Sequence, residues 1–334
     1  MSKKILILKN DRVGDLFHSL DGINAILNDN KDANIEIILS NVSKDLSFLF
    51  QGANIKISYL PYSLTILNKF KLFLKMIFNS FDQVYILCPK NFYYYLVLFS
   101  NSKFFAITIK NSNKSRPFNF LKKKLFKYIV NDRDNKRINH SINSLIFKLC
   151  SDKSRLDYSS LINKTPETSD LFKNNIPLFS NFIHVHYKDT IFRNNGWTLK
   201  NFFDLVGSLP NTNKIIITSD YGDFDYHKDF LSNFSNLNFD NLTNKIDFKK
   251  KIHYLHNLGT EDLFELIKLS STVISPHGAM TVMASYLNKK VIDIFDTNIN
   301  LNAFREYKPN NDNYNFLIIN KNFIKFLFKI KNFL

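Results

Sequence analysis

The sequence lacks the features typical of membrane-spanning, exported and disulfide-rich proteins. It contains no run of 18 uncharged apolar residues, so a transmembrane helix is not expected. The opening stretch "MSKKILILKNDRVGD" has neither the long apolar region nor the small-residue cleavage site of a signal peptide. The two cysteines, Cys88 and Cys150, form no metal-binding pattern and imply no disulfide framework. We therefore expect a cytoplasmic protein.

Glycine and proline are also scarce, whereas asparagine, lysine, isoleucine and phenylalanine are abundant. Lysine and arginine total 45 against 29 acidic residues, which gives a net charge of +16. This excess favours a phosphate-bearing partner such as an anionic lipid, a phosphorylated substrate or a nucleic acid. It could equally reflect the amino-acid bias of AT-rich coding, and both interpretations stay open. There is no helix-turn-helix, zinc-finger or aromatic RNP motif, so we expect no specific nucleic-acid partner.

Segments typical of strands and helices alternate along the chain and predict two α/β domains. The alternation begins at the apolar run "KILILK" and restarts at "FIHVHY", after a polar, irregular stretch at about 151–179. Each half predicts a parallel, doubly wound sheet, and such sheets bind ligands at the carboxyl ends of their strands. The expected parts are an N-terminal domain at 1–165, a C-terminal domain at 175–320 and a last helix at 321–334 that could pack back on the first domain.

A polar, charged turn follows the first strand. Lys9, Arg12, Gly14 and Asp15 lie at the carboxyl end of that strand, and helical spacing predicts one helix from Gly14 to Leu27. Gly14 permits close backbone approach or a positive φ angle. Asp15 is either a helix cap that also favours the helix dipole, or a general base at the mouth of a site. The turn has no GxGxxG pattern, so a dinucleotide fingerprint is absent.

The second half carries basic residues between a strand and a helix. Lys188 and Arg193 are expected in a loop after "FIHVHY", where a cation could hold a diphosphate or simply be solvated. Trp197 is expected to be a packing anchor, and Thr198 a helix N-cap.

Three carboxylates, Asp220, Asp223 and Asp225, follow the next strand. In that position a carboxylate can accept hydrogen bonds from ribose hydroxyls. The alternative is a solvated turn. We place Asp223 in the candidate ligand site.

The stretch "VISPHGAMTVMASYL" predicts a strand, a turn of mostly small residues and a helix. Small residues leave backbone N–H groups open at a helix N-terminus, which attracts anions. We therefore assign Ser275, His277, Gly278, Ala279 and Met280 to a phosphate site, with the side chain of Met280 expected in the core. His277 would donate to phosphate or sugar oxygens, or it would be satisfied by the local backbone.

Four stretches together resemble glycosyltransferase family 9, which contains the ADP-heptose:lipopolysaccharide heptosyltransferases. They are "ILILKNDRVGDLFHSLDGINAI", "FDQVYILCPKNFYYYLVLFSNSKFFAITIK", "GWTLKNFFDLVGSL" and "LGTEDLFELIKLSSTVISPHGAMTVMASYLNKKVIDIFD". The resemblance implies a GT-B fold, in which two Rossmann-like doubly wound parallel-sheet domains face a cleft. The C-terminal domain would bind the nucleotide-sugar donor, and the N-terminal domain would bind the acceptor. The implied reaction is inverting sugar transfer that needs no metal or other cofactor.

The resemblance also implies residue roles. The aspartate of the family's "GD" turn is its proposed base, which corresponds to Asp15, with Lys9, Arg12 and Gly14 on the acceptor side. Arg193 is the first candidate for contact with the donor phosphates, and Lys188 is the second. The sequence departs from the family's Asp-Thr-Gly turn at 276–278 and from its His-Leu-Ala at 282–284, so another nucleotide sugar fits as well as ADP-heptose.

Two basic amphipathic stretches, "NKFKLFLKMIF" and "RPFNFLKKKLFKYIV", predict helices. They favour peripheral contact with the inner face of an anionic cytoplasmic membrane, or they are ordinary amphipathic helices with solvated lysines. The expected acceptor is a lipid-linked or oligosaccharide acceptor, such as lipopolysaccharide or another cell-surface glycan. The alternative functions are a GT-B sugar epimerase and a non-catalytic or decayed nucleotide-sugar-binding protein.

Overall fold

A computed structural model describes most of the chain. The described residues are 2–109, 117, 120–121, 126–131, 164, 166, 181–210, 214–220, 226, 252–255, 257–296, 311–319 and 323–334. The chain divides into two compact units, Met1–Asp157 with Asn300–Lys308 and Tyr158–Ile299 with Pro309–Leu334. The predicted ranges of 1–165 and 175–320 stay predictions, because nearly all residues between 132 and 180 lie outside the described ranges.

The first unit is a parallel sheet with helices between its strands. Its strands are β1 Lys4–Lys9, β2 Asn34–Ser40, β3 Ile55–Leu60, β4 Gln83–Ile86, β5 Lys103–Ile109 and β6 Phe126–Asn131. Its helices are α1 Val13–Phe17, α2 Leu20–Asp29, α3 Ile66–Asn79 and α4 Asn91–Tyr95, with 3-10 helices η1 Asn41–Leu49 and η2 Leu96–Phe99. The strand order is β3-β2-β1-β4-β5-β6, and every neighbouring pair is parallel.

The second unit repeats this plan. Its strands are β7 Ile183–Tyr187, β8 Ile215–Ser219, β9 Ile252–Leu255, β10 Thr272–Pro276, β11 Lys290–Phe295 and β12 Tyr314–Ile318. Its helices are α5 Asp189–Asn194, α6 Leu199–Gly207, α7 Thr260–Leu269, α8 Ala279–Tyr286 and α9 Phe323–Phe333. The order β12-β11-β10-β7-β8-β9 is again fully parallel.

Counted from the start of each unit, the two sheets have the same strand order. The prediction of two doubly wound parallel-sheet halves is therefore confirmed. The order reverses between β1 and β4 in the first sheet and between β7 and β10 in the second. Ligands of such sheets bind beyond the carboxyl ends of the strands at this reversal. The central strands β1 and β7 are buried along nearly their whole length, as expected when helices cover both faces of a sheet.

The C-terminal helix α9 packs on the core of the second unit. Phe326 and Ile330 are buried in that core. The Trp197 ring meets Phe323 and Phe326 edge-on, with centroids 5.0 and 4.7 Å apart. Trp197 is thus the packing anchor that the sequence predicts, and the described apolar contacts of α9 lie in the second unit.

Two helix predictions need correction. The helix expected to continue to Val130 is wrong over its last part, because Phe126–Asn131 is strand β6 and pairs with β5. The single helix from Gly14 to Leu27 is divided into α1 and α2. At the break, the Ser19 hydroxyl donates to the backbone oxygen of Asp15 at 3.0 Å, and such local bonds compete with a regular helix.

Within the described ranges, no helix is long and apolar enough to span a membrane.

Candidate functional site

The carboxyl ends of β1 and β4 hold a buried charged cluster. The Lys9 ammonium is almost completely buried, and it donates to an Asp11 carboxylate oxygen at 2.9 Å and to the Leu87 carbonyl at 3.2 Å. The Cys88 thiol donates to the other Asp11 oxygen at 2.8 Å. This cluster joins the two strands at the reversal point of the first sheet.

The electrostatics of the cluster keep Lys9 charged. Burial lowers the pKa of Lys9, but the carboxylates of Asp11 and Asp15 outweigh burial, and the pKa is raised. Burial raises the pKa of Asp11, yet Lys9 and Cys88 outweigh it, and that pKa is lowered. The pKa of the Cys88 thiol is raised by burial and then by Asp11, which keeps the thiol a donor. The buried Lys9 ammonium therefore stabilises the turn through its bonds to Asp11 and Leu87. Contact between Lys9 and an acceptor stays a prediction.

The other residues predicted for this turn lie at its surface. Asp15 is partly buried in the first turn of α1, and its effect on Lys9 places the two charges within electrostatic reach. Arg12, not Asp15, is the N-cap residue, and its guanidinium lies 5.5 Å from the centroid of the exposed Tyr62 ring. Gly14 lies inside α1 and does not have a positive φ angle. The predicted positive φ angle at Gly14 is therefore wrong.

The sequence analysis missed two residues that shape this turn. The Lys90 ammonium donates to the Asn10 carbonyl at 2.9 Å and also to the Tyr62 carbonyl. The Tyr93 hydroxyl donates to the side-chain oxygen of Asn10. Lys90 is the N-cap residue of α4 and Tyr93 lies in that helix, which is the next helix after β4. The expected parallel sheet could have pointed to them, because the carboxyl ends of neighbouring strands meet at one edge.

In the second unit, the predicted loop between β7 and α6 is mostly helix α5. Lys188 is its N-cap residue. Arg193, in its last turn, is 75% exposed and pairs with Asp189 at 2.6 Å, one helical turn away. Opposite charges at this spacing stabilise a helix slightly, by about 0.2–0.5 kcal/mol. Thr198 caps α6 as predicted, and it exchanges hydrogen bonds with Asn201 in a capping box.

Asp220 lies beyond the end of β8, close to two basic groups. Its carboxylate is 3.5 Å from the His186 ring nitrogen Nε2. Burial raises the pKa of Asp220, but hydrogen bonding and charge from His186, with a further contribution from Lys188, outweigh burial and lower it. Lys188 and Asp220 therefore interact across the strand ends. Asp223 and Asp225 lie outside the described residues.

The other His186 nitrogen belongs to a buried network inside the sheet. His186 Nδ1 lies 2.9 Å from the Thr218 hydroxyl, and His184 Nε2 lies 2.7 Å from the same oxygen. Burial, and then the neighbouring His186, lower the pKa of His184 to about 3. One hydroxyl can donate to one ring and accept from the other, which fits a neutral His184.

The turn after β10 presents His277 in a fixed orientation. Its Nδ1 lies 2.7 Å from a carboxylate oxygen of the fully buried Asp293, which also accepts from the Tyr314 hydroxyl. The ring stacks on Phe295, with centroids 4.3 Å apart. The side chain of His277 is 30% exposed. Because Asp293 holds Nδ1, the outer nitrogen Nε2 is the atom left to meet a ligand.

Backbone groups beside His277 are accessible. A Cβ atom added to Gly278 would meet nothing within 4 Å, so a ligand can approach the chain closely there. Helix α8 begins at Ala279, and the first N–H groups of a helix have no acceptor inside it. Met280 is buried, as predicted for its side chain, and so is Ser275, whose hydroxyl donates to the Pro276 carbonyl.

The sequence analysis did not identify Asp293 or Tyr314 as site residues. Burial, and then Asp293, raise the pKa of Tyr314, so its hydroxyl stays a donor to the carboxylate. The available signal was a single acid in the otherwise apolar run "KVIDIF", which is β11. A buried carboxylate in a central strand needs partners, and strand β10 brings His277 to it.

In the part of the chain that the structure describes, no three His, Cys, Asp or Glu side chains are grouped to hold a metal ion.

No protein-family model matches the chain, and no curated protein matches it by sequence. Solved structures do match, over nearly the whole chain. Escherichia coli heptosyltransferase WaaC with ADP gives a TM-score of 0.69 at 10% identity, covering 99% of this chain and 100% of that one. A glycosyltransferase family 9 structure from Veillonella parvula gives 0.62 at 10% identity, covering 99% and 90%. A putative UDP-N-acetylglucosamine 2-epimerase from Listeria monocytogenes gives 0.60 at 9% identity, covering 100% and 88%.

These neighbours establish the fold. The chain has the GT-B fold of glycosyltransferases and sugar epimerases. Its structure is similar to those of the heptosyltransferases and of a family 9 glycosyltransferase, so the predicted resemblance is confirmed at the level of the fold.

Proposed function

We propose that the protein is a glycosyltransferase that moves a heptose or another hexose-like sugar from a nucleoside diphosphate to a cell-surface glycan acceptor such as lipopolysaccharide. The observation that carries this proposal is the turn at His277. There a buried carboxylate orients an imidazole beside open backbone at the start of a helix, on a GT-B fold. A diphosphate fits this turn because it is an anion with several acceptor oxygens.

The donor would be held by its phosphates. His277 Nε2 would donate to one phosphate oxygen, while Asp293 holds the ring in place through Nδ1. The backbone N–H groups of Ala279 and Met280 would donate to another oxygen. Lys188 and the exposed Arg193 lie after β7, the strand next to β10, and would add positive charge. Charge on the departing diphosphate grows in the transition state, and fixed donors at that point give the largest catalytic gain.

Asp15 would act as the general base. It would accept the proton of an acceptor hydroxyl while that oxygen forms a bond to the anomeric carbon. The bond from this carbon to the diphosphate oxygen breaks, and the nucleoside diphosphate leaves with the electron pair. Attack opposite the leaving group inverts the anomeric configuration. Charge stabilisation comes entirely from protein groups in this scheme, so it uses no metal ion or other cofactor.

An epimerase of the same fold is the second candidate. It would convert a UDP-sugar without any acceptor, whereas the transferase releases its nucleoside diphosphate only when an acceptor is supplied. Incubation with nucleotide sugars in the absence of acceptor therefore separates the two. A non-catalytic nucleotide-sugar-binding protein would give neither reaction and would still bind the donor.

Donor binding is tested by thermal unfolding with ADP, GDP, UDP and CMP and with their sugar conjugates. A ligand at about 100 times its dissociation constant stabilises the folded protein by about 2.7 kcal/mol, a shift of a few degrees. His277→Ala should weaken binding at least tenfold, which reduces that stabilisation to about 1.4 kcal/mol at the same ligand concentration. Lys200→Ala, at an exposed position in α6, is the control and should bind as the wild type does.

A rise in the unfolding temperature with one nucleotide identifies the nucleobase of the donor. A rise with ADP would favour a heptosyltransferase-like donor. The proposal fails if the folded protein shifts with none of these ligands. The assignment of His277 fails if its alanine variant keeps the full shift.

We also propose that the protein works at the cytoplasmic face of the membrane, in peripheral contact with anionic lipid, on a lipid-linked or oligosaccharide acceptor. The net charge of +16 supports an anionic partner.

A further inference from the structure

Helix α3 in the first unit is apolar on its outer side as well as its inner side. Leu72 and Met76 face the core and are buried. On the opposite side Ile66 is 85% exposed and Phe78 is 76% exposed. A helix at the surface of a globular protein normally turns polar residues outward, so this outer side is expected to contact something other than water.

The neighbouring 3-10 helix η2 extends this outer side. The Phe73 ring meets the Phe99 ring edge-on, with centroids 4.8 Å apart. Leu98 and Phe99 are both about half exposed. We call the combined surface the α3 apolar face; its residues are Ile66, Leu67, Phe70, Ile77, Phe78, Leu98 and Phe99.

An open groove continues the α3 apolar face. The groove has a volume of about 1060 Å³, and Ile77, Leu98 and Phe99 contribute to its lining. Lys3, Asp82 and Lys103 line it as well. Apolar side chains beside ammonium groups suit a molecule with an acyl chain and an anionic head group.

The chain segment that carries the face is rich in lysine. Between Tyr62 and Lys103 the chain has five lysines, at positions 69, 71, 75, 90 and 103, and one acid, Asp82. Lys75 is paired with Glu36, and Lys90 donates to backbone carbonyls. Lys71 and Lys103 are exposed and lie at the margin of the face. Aromatic and aliphatic side chains surrounded by lysines are typical of surfaces that lie on anionic membranes.

We propose that the α3 apolar face docks on an anionic lipid bilayer, with Phe70 and Phe78 inserted among the lipids and the lysines at the head groups. A second copy of this chain fits less well, because two such faces would bring like charges together on proteins that each carry +16. The inference rests on the membrane contact proposed above but not on the transferase chemistry.

Vesicle co-sedimentation of the full-length protein tests the inference. Phosphatidylcholine vesicles with and without phosphatidylglycerol are compared at low and high salt. The wild type should bind the anionic vesicles, and binding should weaken as salt screens the lysines. Phe70→Ser with Phe78→Ser should lower binding at least tenfold, which corresponds to about 1.4 kcal/mol, because two large apolar side chains no longer insert among the lipids.

Phe328→Ser is the matched control. Phe328 is 67% exposed on α9, which also carries lysines, but it belongs to the second unit. This variant should bind vesicles as the wild type does. Both sets of variants replace exposed side chains, so their unfolding temperatures should match the wild type.

Three results would overturn the inference. They are no binding of the wild type to anionic vesicles at low salt, unchanged binding of the double variant, and a lipid-free wild-type dimer that the double variant abolishes. Nucleotide-induced stabilisation is measured on the same samples. If vesicle binding is lost and nucleotide binding is normal, the proposed donor site stands and the docking surface is wrong. If the protein binds vesicles but no nucleotide, the docking surface stands and the proposed donor site is wrong.

Discussion

His184 should make the stability of the second unit depend on pH. It lies fully buried in the central strand β7, with only the Thr218 hydroxyl as a described partner for its Nε2 and none for its Nδ1. Its pKa is lowered to about 3 by burial and then by His186. In the unfolded chain the pKa of a histidine is about 6.5. Between these values the unfolded state binds a proton that the folded state does not.

The sign and size of the effect follow from this difference. The stabilisation is complete above the unfolded pKa and is lost as the pH falls from about 6.5 toward 3. From pH 7 to pH 4, linkage gives a loss of about 3 kcal/mol from this one group. His184→Gln removes the titration, so the variant should lose about 3 kcal/mol less than the wild type over that range.

Urea unfolding at a series of pH values measures this difference. Trp197 is the single tryptophan of the chain and is buried in the same unit, so its fluorescence reports on that unit. Ile216→Val is the control, because Ile216 pairs with His184 in the neighbouring strand. Ile216→Val should lower the free energy of unfolding by about 1 kcal/mol at every pH and leave its dependence on pH unchanged. Parallel curves for the wild type and His184→Gln would refute a neutral, buried His184.

Two further predictions concern the first unit. Asp11→Ala should destabilise it by about 3–5 kcal/mol, because the buried Lys9 ammonium loses its partner. Circular dichroism during urea unfolding measures the loss in free energy of unfolding. A Lys9→Met/Asp11→Leu variant should lose less stability than Asp11→Ala. A loss below about 1 kcal/mol for Asp11→Ala would contradict a buried, unpaired Lys9 charge. Asp15→Asn should lower the sugar-transfer rate about 10²–10⁴-fold and leave nucleotide-induced stabilisation unchanged. A near-wild-type rate would show that Asp15 is not the base.

Much of the fold could be predicted because apolar runs and helical spacing are local properties. The strands at "KILILK" and "FIHVHY" are confirmed as β1 and β7, although β7 begins at Ile183, one residue after Phe182. The errors occur where local pattern and tertiary context disagree. Residues 126–130 have the spacing of an amphipathic helix, yet β5 offers an unpaired strand edge, and pairing with it makes them β6.

The candidate site was predicted in part for the same reason. His277 and Gly278 were found because they stand in a turn between a strand and a helix, which is visible in the sequence. The partner of His277, Asp293, is 16 residues away in the next strand, and its role depends on β11 lying beside β10. The hydrogen bond from Cys88 to Asp11 spans 77 residues.

The sequence by itself therefore determined the two α/β halves and the turns at which their strands end. Only the tertiary structure decided which side chains at those turns meet: Lys9 with Asp11 and Cys88, and His277 with Asp293. The physical reason is that strand order, not strand sequence, sets which carboxyl ends are neighbours. Burial at those neighbouring ends then decides which charged groups must pair.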